Sequence, residues 1–116
     1  MASERRIEKL NNFLREEIAQ IIDREIEFPE SMFVTVTLVS VSPDMHYAGV
    51  FISVLGQDTK KALEILQKNV YNIQKILNRK VRMRPVPKIH FTLNENEIRR
   101  EIVEKSVAEL KKKGEL

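Results

Sequence analysis

The side chains best suited to chemistry in this 116-residue chain are its cations. Glu64 is the last acid before Glu95, and between them lie Lys68, Lys75, Arg79, Lys80, Arg82, Arg84 and Lys88, with no carboxylate to offset them. A one-sign stretch of this kind suits a phosphate-bearing polymer, because each Lys or Arg that neutralises a phosphate releases condensed counterions. Spacing adds to this: Lys68, Lys75 and Arg79 fall on one face of a helix. Arg82 and Arg84 alternate, so they point the same way if their stretch is extended. The blander reading is a solvated basic face whose acids lie nearby in space, for instance on the first helix.

Tyr71 lies inside the basic block, between Val70 and Asn72. It can stack on a base or lay its ring over the helix edge with only its hydroxyl in water. The other aromatics, Phe13, Phe28, Phe33, Tyr47, Phe51 and Phe91, mostly fall on apolar faces and read as core. Catalytic arrangements are poor. His46 sits near Asp44 in a turn and His90 sits mid-strand, while Ser42, Ser53 and Thr92 are accounted for as turn or strand residues. A nucleophile would need one of these beside a positioned base. The chain has no cysteine and two histidines, which leaves neither a thiolate metal site nor a histidine cluster. Gly49, Gly56 and Gly114 are scattered and form no phosphate-cradling loop. No enzyme activity and no cofactor is expected.

These cations need elements to hold them. Residues 4–26 predict a helix, with Ile7, Leu10, Phe13, Leu14, Ile18, Ile21, Ile22 and Ile26 on one face and Ser3 as its N-cap. Its mixed charges read as solubilising i,i+4 pairs. Phe28-Pro29 ends it, since proline excludes its predecessor from the helical region. The β-branched stretch 33–41, the turn Ser42-Pro43-Asp44 and residues 47–55 predict a hairpin. Asp58 or Thr59 can cap a second helix with Ala62, Leu63, Leu66, Val70, Ile73, Ile76 and Leu77 on its apolar face. Asn69 and Asn72 invite a kink or break within it. Ile89, Phe91 and Leu93 alternate with polar residues as a third strand, and residues 95–113 carry a thinner helical stripe.

Helices on one face of a small mixed sheet make a two-layer α+β sandwich. Hydrophobic residues at 42% and charged residues at 32% fit one globular domain with a densely charged surface. The net charge is +3, no apolar run is long enough to span a membrane, and the N-terminus has no signal-peptide stretch. A cytoplasmic protein with neither membrane nor small-molecule substrate as partner is expected.

The order and spacing of several segments resemble the ribosome-binding factor A family. They are Arg6-Ile7-Glu8-Lys9-Leu10 through Glu17-Ile18-Ala19-Gln20-Ile21-Ile22, then Val36 to Asp44, Ala48 and Val50 to Val54. Ala62-Leu63, Ile76-Leu77 and Arg82 to Phe91 complete the match, which covers roughly residues 5–95. The resemblance implies a KH-like fold of type II, in the order helix-strand-strand-helix-helix-strand, with a three-stranded mixed sheet. It implies a KH-like RNA-binding domain over 1–95 and a charged C-terminal helical tail over 96–116. The implied function is non-enzymatic: binding the small ribosomal subunit's RNA during late maturation, rRNA processing and cold adaptation, as a monomer.

The family's Ala-X-Gly kink falls on Asn69-Val70-Tyr71, where neither small residue is present, and its following arginine falls on Gln74. Without glycine an RNA backbone cannot approach the loop amides closely. The RNA-binding set expected is therefore Lys68, Asn69, Asn72, Lys75, Arg79, Lys80, Arg82, Arg84 and Lys88. Two other readings stay open. One is a KH-like module for other RNA or for a protein partner. The other is a small α+β enzyme, which would need a polar pocket with perturbed titratable groups.

Overall fold

The computed structural model describes residues 4–56 and 58–93. The elements run α1 (Glu4–Glu25), β1 (Phe33–Val41), β2 (Tyr47–Leu55), α2 (Thr59–Lys68), α3 (Val70–Lys80) and β3 (Lys88–Leu93). The expected order is present. The Ser3 cap, the helix over 95–113 and the 95/96 domain boundary lie outside the described residues.

The helical stripe of α1 buries Leu14, Ile18, Ile21 and Ile22 completely. It packs on β1 and α3. Near its N-terminal half the Asn11 side-chain oxygen accepts from the Val41 N–H at 2.8 Å, tying the helix to the end of β1. That bond satisfies an amide at the strand's end that would otherwise lack a partner.

The sheet has order β1-β2-β3, with β1 and β2 antiparallel and β2 and β3 parallel. Its helix-covered face carries Val39, Val41, Ala48, Val50, Ile52, Ile89 and Phe91, which join the α1 residues and Leu66, Ile73, Leu77 and Val81 in one core. The β1 register slips between Val36 and Leu38, leaving Thr37 as an extra residue whose hydroxyl donates to the Phe51 carbonyl at 3.2 Å. A one-residue insertion moves every later side chain to the opposite face. The bulge therefore lets Val34 and Val36 before it, and Val39 and Val41 after it, serve the same core.

Alternation places Phe33, Leu38, Phe51 and Leu55 on the sheet's other face. Phe33 and Leu55 pair across the hairpin's open end and stay 63% and 72% exposed, and Phe13 is 42% exposed. The expectation that these phenylalanines are core thus fails for Phe33 and in part for Phe13. Phe33 starts an edge strand on the face away from the helices, and Phe13 sits at the margin of the α1 stripe.

The hairpin turn is built by Ser42. Its hydroxyl donates to Asp44 at 2.6 Å and accepts from the Tyr47 N–H at 3.1 Å, while Asp44 also accepts from the His46 N–H. Ser42 and Asp44 are thus spent on turn geometry, as polar turn residues usually are.

Candidate nucleic-acid interface

The basic stretch is carried by two short helices that meet at one residue. Asp58 caps α2 by accepting from the Lys61 N–H at 3.1 Å. Ala62 and Leu66 are buried beneath that helix. At Asn69 the backbone leaves the helical region, with φ −102° and ψ 3°. The Asn69 N–H reaches both Ile65 and Leu66 carbonyls, and its side-chain amide donates back to the Ile65 carbonyl at 2.7 Å. A helix running straight through is thereby excluded. The break lies on the right-handed side of the map, in the bridge region open to any residue. No glycine is needed there, and the left-handed conformation that would favour asparagine is not used.

Beyond the break, Ile73 and Leu77 anchor α3 in the core. Residues one turn apart share a helix face. Tyr71, Lys75 and Arg79 therefore form one ridge opposite the buried pair, and all three are exposed. Lys68 and Asn72, also exposed, flank the first turn of this ridge. Among the described residues, Lys68, Lys75 and Arg79 make no ion pair.

The remaining predicted cations go elsewhere. Lys80 projects toward α1, where its ammonium lies 3.9 Å from Glu17. Residues 83–85 bend, so Arg82 and Arg84 do not alternate along an extended strand as the sequence suggested. Arg84 folds back over the C-terminal end of α3, donating to the Val81, Met83 and Asn78 carbonyls at 2.6, 2.8 and 3.1 Å. Unpaired carbonyls and the negative end of the helix dipole attract a guanidinium there. Arg82 stays exposed. Lys88 opens β3 next to buried Ile89, so its side chain points to the sheet face away from the ridge.

Gln74 carries a structural role that the sequence did not reveal. Its amide nitrogen donates to the Pro87 carbonyl at 3.1 Å and to Asn78 at 3.0 Å, and its oxygen accepts from the Ile89 N–H at 2.9 Å. The Lys88 N–H bonds inward to the His46 carbonyl, so the next amide, that of Ile89, faces outward along the strand edge. Gln74 thus pins the basic helix to the outer edge of β3. The only hint in sequence was a polar residue beside an apolar stripe. His90, half-buried on β3, has its pKa lowered by burial, which disfavours the imidazolium. Among the described residues no group of three or more potential metal ligands occurs.

The comparisons with known proteins agree on one answer. The family model described as "Ribosome-binding factor A" matches residues 6–110. The chain belongs to the ribosome-binding factor A family. A Pseudomonas paraeruginosa ribosome-binding factor A is 35% identical over 119 residues, covering 95% of this chain and 92% of that relative. One from Thermomicrobium roseum is 41% identical over 88 residues, covering 74% and 68%. The crystal structure of ribosome-binding factor A from Thermus thermophilus superposes with TM-score 0.67 at 26% identity, covering 75% of this chain and 94% of that one. A Thermus thermophilus homology model fitted into the cryo-EM map of a complex between that factor and the 30S subunit gives TM-score 0.63 at 27% identity, covering 71% and 88%. The break between α2 and α3 falls at Asn69, where the resemblance places the family's kink, with Tyr71 two residues beyond it.

Proposed function

We propose that this protein is a non-catalytic assembly factor that binds the small ribosomal subunit through its 16S ribosomal RNA during late maturation and rRNA processing. It acts in the cytoplasm as a monomer and takes part in cold adaptation. Binding is assigned to residues 1–95, with 96–116 as a separate charged segment. The observation that carries this reading is the exposed ridge of α3 with Lys75 and Arg79, extended by Lys68, unpaired among the described residues and free of carboxylates along its own helix. Family membership supplies the partner: the related Thermus thermophilus factor has been fitted into the map of a 30S complex.

On this reading Lys68, Lys75 and Arg79 supply the phosphate contacts, with Asn72 and Arg82 beside them, while the Asn69 amide is taken up by the bend. Lys80 faces Glu17 on α1 and Arg84 closes the end of α3, and Lys88 contributes only general positive field. Phosphate contacts release counterions, so affinity for immature small subunits falls steeply with salt. Each of the three ridge cations contributes about 1 to the slope of log affinity against log salt. Titration of immature subunits at several salt concentrations, with and without Lys75→Glu and Arg79→Glu, measures this. Salt-insensitive binding, or equal affinity for unrelated structured RNA, would overturn the assignment.

A further inference from the structure

Among the described residues, Tyr71 has no structural task. It is 79% exposed, more than Phe13, Phe33 or Leu55, and the core beneath its helix is closed by Ile73 and Leu77. Among the described residues it makes neither a hydrogen bond nor a ring contact. Snorkelling requires the ring body to lie on apolar surface with only the tip in water, which this exposure rules out. Its setting is specific: the first turn of α3, directly after the break at Asn69, with Lys75 one turn along the ridge and Lys68 just upstream.

We infer that Tyr71 is a stacking platform for one unpaired base, with Lys68 and Lys75 holding the phosphates on either side of it. The inference rests on reading the α3 ridge as the rRNA-contacting face. Bases inside a duplex have both faces covered by their neighbours. Only a looped-out, bulged or single-stranded base offers a free face to an aromatic ring. The site therefore takes an unpaired segment rather than the flank of a double helix. A side-chain platform of this kind suits a break without glycine, because a Cβ at each position keeps the RNA backbone away from the loop amides.

The chain has no tryptophan, so Tyr71→Trp creates a single fluorescent reporter at the platform. Its emission is expected to quench on an adenine-rich single-stranded oligonucleotide and on immature small subunits, and to stay unchanged on a fully paired duplex of the same length. Base–aromatic stacking corresponds to about a 5- to 150-fold affinity change. Tyr71→Ala and Tyr71→Leu should weaken binding to immature subunits within that range, with Tyr71→Phe close to wild type. None should change the salt slope or the urea midpoint. Tyr71→Ala binding within twofold of wild type, or Tyr71→Trp quenched equally by duplex, overturns the platform. If Lys75→Glu still weakens binding in that case, the ridge stands and only stacking is lost. If Lys75→Glu is also silent, the face itself has been misassigned.

Discussion

Replacing Gln74 by methionine tests whether the basic helix is held to the sheet edge by one side chain. Methionine preserves the volume and removes all three hydrogen bonds of Gln74. The largest loss is at Ile89, a residue 4% exposed, whose N–H points outward from β3 and is left without its acceptor. An amide orphaned in such a place costs about 1–3 kcal/mol. Losing the donor to the Pro87 carbonyl adds about 0.5–1.5 kcal/mol, and the exposed Asn78 contact adds little. A total of about 1.5–4.5 kcal/mol is a large share of the roughly 5–15 kcal/mol that holds a domain folded. It should lower Tm by about 10 °C or more.

Two further variants separate the terms. Gln74→Glu keeps an acceptor for Ile89 but faces the Pro87 carbonyl with a carboxylate. Gln74→Arg, the residue type the family resemblance places there, keeps a donor for Pro87 but offers Ile89 none. Gln74→Glu should fall between wild type and methionine, and Gln74→Arg close to methionine. Urea denaturation gives the magnitude, and amide hydrogen exchange gives the location, with the Ile89 amide losing protection first. A methionine variant within about 0.5 kcal/mol of wild type, with Ile89 still protected, would refute the pinning role.

Other perturbations separate binding from support. Lys75→Glu with Arg79→Glu should reduce the salt slope by about 2 while leaving the urea midpoint within about 0.5 kcal/mol. Arg84→Met should do the reverse, destabilising by about 1 kcal/mol through lost capping of α3 with the slope unchanged. His90 gives a pH signature. Its folded pKa lies below the usual 6.5, so the unfolded chain takes up a proton at a higher pH than the folded one. Stability is therefore full above that value, declines as pH falls from it toward the folded pKa, and then levels off. Urea midpoints across this window should show the decline in wild type and a shallower one in His90→Gln.

The elements were legible because their patterns are unambiguous. The α1 stripe, the β-branched run, the turn at Ser42 to Asp44 and the alternation through Ile89, Phe91 and Leu93 each obey a single period. The bulge was legible in principle: Val34 and Val36 keep one parity and Val39 and Val41 the other, and only an inserted residue reconciles them. The site was legible as charge and not as direction. Seven cations in a row say nothing about which one a helix turns inward, and Lys80 beside Glu17 follows from how α3 packs on α1. The direction of Arg84 is hidden for a related reason. Its alternation with Arg82 presumed an extended strand, whereas the bend at 83–85 aims its guanidinium at carbonyls that exist only once α3 has formed.

A helix break built from Asn69 and Tyr71, without glycine, carries a consequence for how affinity is distributed. A glycine kink lets the backbone itself meet phosphate, so binding is largely geometric and tolerant of which side chains surround it. Here the Asn69 amide is turned back onto the Ile65 carbonyl, which fixes the bend without opening it to a ligand. On the proposed assignment, recognition comes from side chains beyond the bend, in an order set by α3: Tyr71, Lys75, Arg79. Long cations on a helix surface give up rotamer freedom when they bind, whereas a loop amide is already fixed. The ridge compensates by sitting on a rigid support, with Ile73 and Leu77 in the core, Gln74 on β3, and Arg84 closing the helix end. Loosening any of these supports should weaken RNA binding without removing a single RNA contact. Gln74→Met is the sharpest case, since it leaves every ridge cation intact.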